Sequence, residues 1–584
     1  MPDSGGFDYD VVIIGGGPAG STTGAMIQRY NPDLKVLILE KEKFPRDHVG
    51  ESQLPPIGRI LKELDVWDDI EAAQFPIKIG ASYTWGKTVD PWEFEFLPLE
   101  EVPNEDGRPE PYDGWRIKTA LQVDRAIYDD ILLKHAEKLG CEVRQETRIA
   151  NIAHEDDEIQ YVETEDGQKI TARWFVDASG NVAIIRRALG VKVDAPTKLR
   201  NVAFWNYWQG AQLNQDLFGH GVTRVQVRSV PFGWLWYIPL SKTRTSVGLV
   251  CPADYYKTSG KKPQELYDEA IALEPQISTL LETGEPEKEL EGTTDWSFLA
   301  DRTYGKNWFL CGETLGFADP ILAAGLTLTH ACGRHLAYTL LEMDKGEIDE
   351  QWLKEQYNEL QRKRVVQHMR FAEYWYSANG CFSDIQAFCS EIARDAGLKL
   401  SPTAAFRWLS HGGLDDEVGQ AIIGGFDVAG LKQVQWRFSD ANEEVEYLIN
   451  GKNTFKLNLK GANRIKIPVL KDGRIHQADG YERQGKVIAR TGAYELILNA
   501  LEQSSDIEKI MEHLKASLYG AVGVDSGYAL QQSMQALEVL VSDYWVFATV
   551  NKKKATLNMR TPKEGQYIYS TALGAPEKKG AGAA

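Results

Sequence analysis

The chain lacks the features that mark several protein classes. No apolar run approaches the roughly 18 residues that a membrane-spanning helix requires, and residues 1–9 lack the basic and apolar regions of a signal peptide. The six cysteines are scattered, without a CxxC pair and without histidines at metal-ligand spacing. We therefore expect a protein of the reduced cytoplasm that spans no membrane and binds no metal.

Positive charge is scarce as well. The sequence has 65 Lys and Arg residues against 84 Asp and Glu residues, which gives a formal net charge of −19. Binding to nucleic acid or to an anionic membrane surface requires clustered positive charge, so we expect neither partner. The 584 residues are too many for one hydrophobic core, and two or three packed units are expected.

A glycine-rich turn stands near the start of the chain, between a predicted strand and a predicted helix. The strand Tyr9–Ile14 is followed by Gly15-Gly16-Gly17-Pro18-Ala19-Gly20, which satisfies the pattern GxGxxG. The glycines let the backbone approach a pyrophosphate, and the helix N-terminus adds the positive end of its dipole. A second strand ends at Glu40, just before Lys41, where an acidic side chain can bind ribose hydroxyls. These residues predict a dinucleotide cofactor.

Four further segments resemble those of FAD monooxygenases whose cofactor lies extended across the first domain. They are Val123-Asp124-Arg125, Val176-Asp177-Ala178-Ser179-Gly180, Phe44-Pro45-Arg46 with Gly50-Glu51-Ser52, and Cys311-Gly312-Glu313 with Gly316-Phe317-Ala318-Asp319-Pro320. The resemblance implies that FAD is the cofactor. The residues then expected to contact FAD are Gly15, Gly17, Ala19, Gly20, Glu40, Lys41, Gly50, Ser52, Arg125, Asp177, Gly180, Glu313 and Gly325. The FAD monooxygenases usually have Asp in place of Glu313, so the longer side chain changes that contact.

The sequence has no second GxGxxG motif of comparable quality. A nicotinamide cofactor therefore has no recognisable fold of its own on this chain. The simplest expectation is that a separate NAD(P)H-dependent flavin reductase supplies FAD in its reduced form, FADH2.

A second set of motifs resembles the flavin-dependent halogenases, a tryptophan-halogenase-like family. Trp234-Leu235-Trp236-Tyr237-Ile238-Pro239 is a complete WxWxIP motif, residues 75–80 resemble the segment with the active-site lysine, and residues 371–392 resemble an aromatic helix near the substrate. The resemblance extends from residue 8 to about residue 395. It makes Lys78 the candidate catalytic lysine, against the alternative of an exposed lysine at a strand edge. Lys87 lies close by but off the pattern, and serves as an internal control.

The halogenase resemblance implies a FADH2- and O2-dependent enzyme that oxidises a halide to hypohalous acid. The acid would halogenate an electron-rich, aromatic substrate, free or bound to a carrier protein. Lys78 would hold the acid by a hydrogen bond or as a haloamine, and burial would lower its pKa. Trp234 and Trp236 would form part of the wall that keeps the substrate away from the flavin.

One segment departs from the family. Many halogenases have Ser or Thr pairs after Asp-Pro, and tryptophan halogenases have Glu-Ser-Thr-Gly, where this chain has Leu322-Ala323-Ala324-Gly325. The departure argues against free tryptophan as the substrate. It leaves the backbone N–H groups of Ala324 and Gly325 as candidates for halide binding. It also leaves open an FAD monooxygenase or reductase of the same fold, which would need no Lys78.

The hydrophobic pattern predicts an α/β fold, α+β overall. We expect a Rossmann-like FAD-binding domain over residues 1–195 and 300–345 with an insertion at about 75–120, an antiparallel substrate-side sheet over 196–299, a helical region over 346–440, a C-terminal domain over 441–550 and a tail over 551–584. Helices are expected at 55–73 and 125–139, the second with Ile127, Ile131, Leu132 and Ala136 on one apolar face.

The C-terminal domain has no flavin motif, and a winged-helix-like arrangement is one option for it. It could dock a carrier protein that presents a tethered substrate, or it could cover the substrate entrance. The acidic charge of the chain does not favour docking, because carrier proteins are themselves acidic.

Overall fold

The computed structural model describes residues 6–86, 89–103, 107–294, 297–395, 447–519 and 526–559, and three single positions at 432, 434 and 438. The chain divides into two compact units. The first consists of Met1–Leu398 with Leu470–Ile475, and the second of Lys399–Val469 with His476–Ala584. Lys87, nearly all of residues 396–446 and the tail from residue 560 lie outside the described residues.

The strands and helices of the first unit follow in chain order. The strands are β1 Tyr9–Ile14, β2 Val36–Leu39, β3 Ile77–Thr84, β4 Trp92–Glu95, β5 Ala120–Leu121, β6 Glu142–Arg144, β7 Ile149–Glu155, β8 Glu158–Thr164, β9 Lys169–Ile170, β10 Ala172–Asp177, β11 Val193–Asp194, β12 Asn201–Gln209, β13 Val222–Val230, β14 Gly233–Pro239, β15 Arg244–Pro252, β16 Glu285–Pro286, β17 Glu291–Thr294, β18 Phe298–Ala300, β19 Trp308–Leu310 and β20 Gly316–Phe317. The α-helices are α1 Pro18–Tyr30, α2 Pro56–Leu64, α3 Trp67–Ala72, α4 Arg125–Leu139, α5 Ile184–Ala188, α6 Gln215–Phe218, α7 Ala253–Ser259, α8 Pro263–Leu273, α9 Pro275–Leu281, α10 Gly325–Lys345, α11 Glu350–Ser377 and α12 Gln386–Asp395.

Five parallel strands form one sheet, in the order β19-β10-β1-β2-β6. Residues 11–14 of β1 and all of β2 are continuous apolar runs, and every one of these residues is buried. Such runs are typical of parallel strands that are covered on both faces. α1 connects β1 to β2 and packs against α4 and α10. The predicted α/β fold, with a glycine turn after its first strand, is therefore confirmed.

The second sheet positions the tryptophans of the WxWxIP motif. Its strand order is β16-β12-β15-β14-β13-β3-β4, with β17 paired to β12 and β5 to β3. Trp234 and Trp236 share one face of β14, because alternate strand residues point to the same side. Trp236 stands opposite Gly248 of β15. A Cβ at Gly248 would lie 2.2 Å from the Trp236 ring, so only glycine permits this contact. β3 and β4 come from the segment expected as an insertion at about 75–120.

Two local expectations are wrong. Residues 55–73 form two helices, because Asp65 adopts a left-handed conformation with φ 65° between α2 and α3. Ile127 does not lie on the buried face of α4, since its side chain is 48 % exposed. Asp129 is buried there instead, in an ion pair with Arg125. The apolar pattern therefore predicts the bounds of α4 correctly but not all of its buried face, because that face includes a charged pair.

The second unit is smaller and has its own sheets and helices. Its elements, continuing the numbering, are β21 Thr454–Leu457, β22 Asn463–Lys471, β23 Arg474–Arg483, β24 Lys486–Ala489, α13 Gly492–Gln503, α14 Ile507–Leu518, α15 Ser526–Ser542 and β25 Val546–Thr549. β21 pairs with β25, and β22, β23 and β24 form a separate sheet. The three helices pack on one another.

The turn between β22 and β23 belongs to the first unit. Gly473 donates its amide to the hydroxyl of Tyr338 at 3.1 Å, and Arg474 and the amide of Ile475 bind Glu342 at 2.5 and 3.1 Å. Glu342 is fully buried. A truncation before residue 445 would remove these partners of Glu342 and therefore would not separate the two units cleanly.

None of the helices in the described ranges has the length and apolar character needed to cross a membrane. The same ranges contain no group of three or more His, Cys, Asp and Glu side chains that could hold a metal ion. All six cysteines carry thiols rather than disulfides.

Candidate functional site

The turn between β1 and α1 requires glycine at two positions. Gly15 has φ +113°, which side chains disfavour, and a Cβ there would lie 2.3 Å from the carbonyl oxygen of Ala178. A Cβ on Gly20 would lie 1.9 Å from the carbonyl oxygen of Gly15. Both positions therefore require glycine because the neighbouring backbone leaves no space for a Cβ atom, whether or not a ligand is bound.

Gly17 differs, because the protein leaves room for a side chain there. Its φ is −68°, and the nearest heavy atom to an added Cβ is Nη2 of Arg46 at 3.6 Å. Gly17 is the N-cap of α1, whose first turn has no side-chain cap and no acidic residue. The free amides of this turn and Arg46 adjoin a space suited to an anion such as a pyrophosphate.

Glu40 is anchored beside the glycine turn. One of its carboxylate oxygens accepts a hydrogen bond from the amide of Gly16 at 2.7 Å, and the other accepts one from the amide of Glu42 at 2.9 Å. The remaining lone pairs can accept ribose hydroxyls. Lys41, the next residue, is exposed and lies 3.4 Å from the carboxylate of Glu42.

Arg125 ties a neighbouring loop to α4. Its Nε and Nη2 donate to Asp129 at 2.7 and 2.9 Å, and its Nη1 donates to the carbonyl oxygens of Val49 and Gly50 at 3.1 and 3.2 Å. Gly50 has φ +101°, a conformation that favours glycine. The loop expected to contact the flavin is thus held by a buried ion pair.

Two carboxyl groups near Arg125 are protonated more easily than usual. Burial raises the pKa of Glu51 to about 7, although the hydroxyl of Tyr207 and the amide of Gly50 both bind its carboxylate at 3.1 Å. Burial also raises the pKa of Glu313, while the charge of Arg125 acts in the opposite direction. No hydrogen-bond donor contacts the Glu313 carboxyl within the described ranges, so it can bind a ligand hydroxyl.

Asp177 has a structural role that differs from the expected contact with FAD. Its Oδ1 accepts from the amide and the hydroxyl of Ser179 at 3.2 and 2.6 Å, and its Oδ2 accepts from the amides of Ile185 and Arg186 at 2.8 and 3.1 Å. The carboxylate therefore binds the first turn of α5, and its contact with FAD stays a prediction. Gly180 is in the left-handed region with φ +62°, and an added Cβ would meet no atom within 4 Å.

A small, partly open pocket with a cavity volume of about 10 Å³ lies between residues 312–317 and the helices α10 and α11. Its lining includes Glu313, Phe317, Gly325, Thr329 and Arg364. Glu313 and Gly325, both predicted to contact FAD, therefore share one pocket.

Lys78 is buried on β3 and is 2 % exposed. Its Nζ donates to the hydroxyl of Ser52 and to the carbonyl oxygen of Gln53, both at 2.8 Å, and lies 5.4 Å from the centre of the Phe96 ring. Burial lowers its pKa to about 7. The alternative of an exposed lysine at a strand edge is therefore wrong. Ser52, predicted to contact the cofactor, contacts Lys78.

The free energy of unfolding should depend on pH through Lys78. The pKa of a lysine in an unfolded chain is ~10.4, whereas the pKa of folded Lys78 is about 7. Between these values the unfolded state binds more protons, so stability should rise with pH from about 7 to about 10. Lys78→Met should be more stable than the wild type at pH 7, and the difference should shrink by pH 9.5. Urea unfolding at both pH values measures this, and an equal difference at both would contradict it.

Trp234 and Trp236 lie in a cluster of aromatic side chains. The ring centres of Trp234 and Trp236 are 6.1 Å apart, and those of Trp85 and Trp234 are 6.4 Å apart. Trp85 also contacts Trp375 and Tyr376 of α11, with ring centres 6.3 and 5.7 Å away. The structure thereby brings the WxWxIP motif together with Trp375 and Tyr376 of the segment 371–392. That segment is not the one aromatic helix expected, because α11 ends at Ser377 and α12 begins at Gln386.

The turn before α10 leaves two backbone amides without a partner. The carboxylate of Asp319 accepts from the amide of Ile321 at 3.0 Å, and Ala323 is left-handed with φ 52°. α10 begins at Gly325. The amides of Ala324 and Gly325 have no acceptor within the described part of the chain, so they are available to an anion.

The glycine turn, the anchored Glu40 and the parallel sheet fit an extended dinucleotide. Glu313, whose carboxyl group has no hydrogen-bond donor among the described residues, fits the hydroxyl groups near the flavin end of FAD. The fold and site thus define a Rossmann-like FAD-dependent enzyme. The family model described as tryptophan halogenase matches residues 10–105 and 103–381. The chain belongs to this family of flavin-dependent halogenases.

Several known proteins similar to this chain are halogenases. A 1H-pyrrole-2-carbonyl-(peptidyl-carrier protein) chlorinase of Pseudomonas fluorescens is 29 % identical over 393 residues, which are 64 % of this chain and 85 % of the chlorinase. A tryptophan 2-halogenase of Chondromyces crocatus is 28 % identical over 58 % of this chain, and the match spans 62 % of that relative. The flavin-dependent halogenase CmlS has the same fold, with a TM-score of 0.70 and 22 % identity over 95 % of this chain and 98 % of its own. The myxobacterial chondrochloren halogenase CndH has a TM-score of 0.58 and 27 % identity over 67 % of this chain and 91 % of its own.

Proposed function

We propose that this protein uses reduced FAD, O2 and a halide to halogenate an electron-rich, aromatic substrate. The observation that carries the proposal is the state of Lys78, which is buried and has its pKa lowered to about 7. Among the described residues its Nζ is hydrogen-bonded to the neutral Ser52 and Gln53 and to no carboxylate. Burying an amine without a counter-charge costs folding free energy, so such a group is a candidate for chemistry.

Several residues fit the FAD molecule. The amides after Gly17, with Arg46, would bind its pyrophosphate, and Glu40 would bind the ribose at its adenine end. Glu313 and Gly325, which both line the small pocket beside α10, would contact the flavin end. When bound and reduced, FAD supplies the oxygen-activating chemistry that converts a halide to hypohalous acid.

The amides of Ala324 and Gly325 would bind the halide. They stand at the N-terminus of α10, which is 21 residues long, so the positive end of the helix dipole favours an anion there. Because alanines replace the family's hydroxyl-bearing residues at positions 323 and 324, selection of the halide would rest on backbone groups.

Lys78 would transfer the halogen to the substrate. Its neutral amine reacts with hypohalous acid to give a haloamine and water, and attack of the aromatic carbon on the halogen restores the amine. The hydroxyl of Ser52 and the carbonyl oxygen of Gln53 hold Nζ in one place during both steps. Trp234 and Trp236 would keep the substrate at the lysine and away from the flavin.

A monooxygenase of the same fold is not favoured. In that reaction the substrate meets the activated oxygen directly, and Lys78 has no part in the chemistry. Selection would then not maintain a buried lysine without a counter-charge, since replacement by an apolar residue would stabilise the fold.

The substrate is proposed to be a pyrrole, phenol or indole, free or tethered to a carrier protein. One relative is named for a pyrrole held on a peptidyl-carrier protein, whereas residues 322–325 depart from the tryptophan halogenases. Mass spectrometry should detect halogenated products when the protein receives reduced FAD, O2, bromide and a panel of these rings, both free and carrier-bound. A product with added oxygen and no bromine would identify a monooxygenase instead.

Electrons are proposed to come from a separate NAD(P)H-dependent flavin reductase. The purified protein with FAD should oxidise NADH no faster than free FAD does, and added reductase should start halogenation. The measurement is NADH absorbance together with product formation, and photochemically reduced FAD should replace the reductase. Rapid NADH oxidation by the protein alone would contradict the proposal.

A further inference from the structure

A network of buried hydrogen bonds joins Trp234 of the WxWxIP motif to the turn before α10. The indole Nε1 of Trp234 donates to the hydroxyl of Tyr376 at 2.7 Å, and that hydroxyl donates to Oδ1 of Asp319 at 3.2 Å. Nδ2 of Asn201 donates to Oδ2 of Asp319 at 2.9 Å and lies 3.2 Å from the Tyr376 hydroxyl. All four side chains are at most 5 % exposed.

Asp319 is held by neutral donors only. Its carboxylate accepts from Tyr376, Asn201 and the amide of Ile321, and the structure pairs it with no cation in the described ranges. Burial raises its pKa to about 7. A buried carboxyl group in this state depends on every one of its hydrogen bonds, because no ion pair compensates for its loss of water.

Asp319 also sets the shape of the turn that follows. Its bond to the Ile321 amide caps the short 3-10 turn Pro320–Leu322, and Ala323 follows in a left-handed conformation with φ 52°. An alanine in this region is strained, so the surrounding contacts must hold it. The amides of Ala324 and Gly325 owe their direction to this turn.

We propose that Tyr376 is a positioning residue that holds the halide-binding amides of Ala324 and Gly325 in place through Asp319. This inference rests on the proposed function. The same hydroxyl accepts a hydrogen bond from Trp234. Tyr376 would therefore link the tryptophan proposed to contact the substrate to the turn proposed to bind the halide.

Tyr376→Phe should raise the KM for bromide about tenfold, the effect of one lost hydrogen bond to a buried carboxylate. The kcat at saturating bromide should change less than threefold. A bromide titration of the FAD-loaded protein, followed by flavin fluorescence, should show the same shift without turnover. Asp319→Ala should match or exceed this loss. Asp319→Asn should stay within about threefold of the wild type, because its side-chain oxygen can keep the Ile321 and Tyr376 bonds, and a flipped Asn201 amide can accept a hydrogen bond from the new Nδ2.

Tyr267→Phe is the matched control. The Tyr267 hydroxyl also accepts a bond from a tryptophan, Nε1 of Trp208 at 3.0 Å, but it donates to the carbonyl oxygen of Val247 rather than to Asp319. This variant should bind bromide like the wild type, even if its melting temperature falls. The inference is overturned if Tyr376→Phe binds bromide within twofold of the wild type, or if Tyr267→Phe shifts bromide binding equally. A wild-type protein that neither responds to bromide nor consumes it would instead refute the proposed function, and the inference with it.

Discussion

Halogenation is expected to fall by at least about a hundredfold when Lys78 is replaced by alanine, the usual scale for losing a reactive side chain. FAD content and oxygen consumption should stay near the wild-type level. The reason is positional, because Lys78 would serve only the transfer of halogen to the substrate. Its described contacts are with Ser52, Gln53 and Phe96. The measurements are product by mass spectrometry, bound flavin by absorbance, and oxygen by electrode.

Two further variants sharpen this test. Lys78→Arg should also fail, because a guanidinium stays protonated and cannot form a haloamine. Lys78→Met should fail while gaining stability at neutral pH, which separates lost chemistry from lost folding. Lys87 lies outside the described residues, so exposed Lys242, in the turn between β14 and β15, provides the surface control. Lys242→Ala should be silent. A Lys78→Ala enzyme with unchanged product and rate would rule out the halogenase mechanism but not the FAD fold.

The parts of the site that follow one another along the chain could be predicted from the sequence. The glycine turn after β1 and the acid at the end of β2 depend on local backbone geometry, which GxGxxG spacing encodes directly. The shared face of Trp234 and Trp236 follows from strand periodicity alone. Lys78 was identified by resemblance, and only the structure shows its burial and its bonds to Ser52 and Gln53.

The contacts between distant segments could not be predicted. Tyr376 and Trp234 are 142 positions apart, and Asn201 and Asp319 are 118 apart. No local pattern distinguishes Tyr376 from the other aromatic residues of 371–392. The bonds from Asp177 to the first turn of α5 could not be predicted either, because they join a motif residue to amides eight and nine positions further along the chain. Arg46 belongs to the segment Phe44-Pro45-Arg46, but the sequence does not indicate that its side chain lies beside Gly17.

Gly17→Val is expected to weaken FAD binding by at least about a hundredfold, because the side chain occupies the space of the pyrophosphate. The fold should tolerate the change. Gly17 has φ −68°, and apart from the atoms of its own chain neighbours an added Cβ would lie no closer than 3.6 Å to any heavy atom of the protein. A loss of FAD affinity would therefore result from a clash with the cofactor and not from disturbed packing of the protein. Equilibrium titration with FAD measures the affinity, and circular dichroism of the flavin-free protein measures the fold.

Gly20→Ala is the contrasting variant for this test. A Cβ there would lie 1.9 Å from the carbonyl oxygen of Gly15, so the apo protein itself should be destabilised. Gly17→Val should keep the melting temperature of the flavin-free wild type, and Gly20→Ala should lower it. If Gly17→Val retains full FAD occupancy, the pyrophosphate does not lie at this turn. If it unfolds like Gly20→Ala, Gly17 is required for packing, and the anion site must be sought elsewhere along α1.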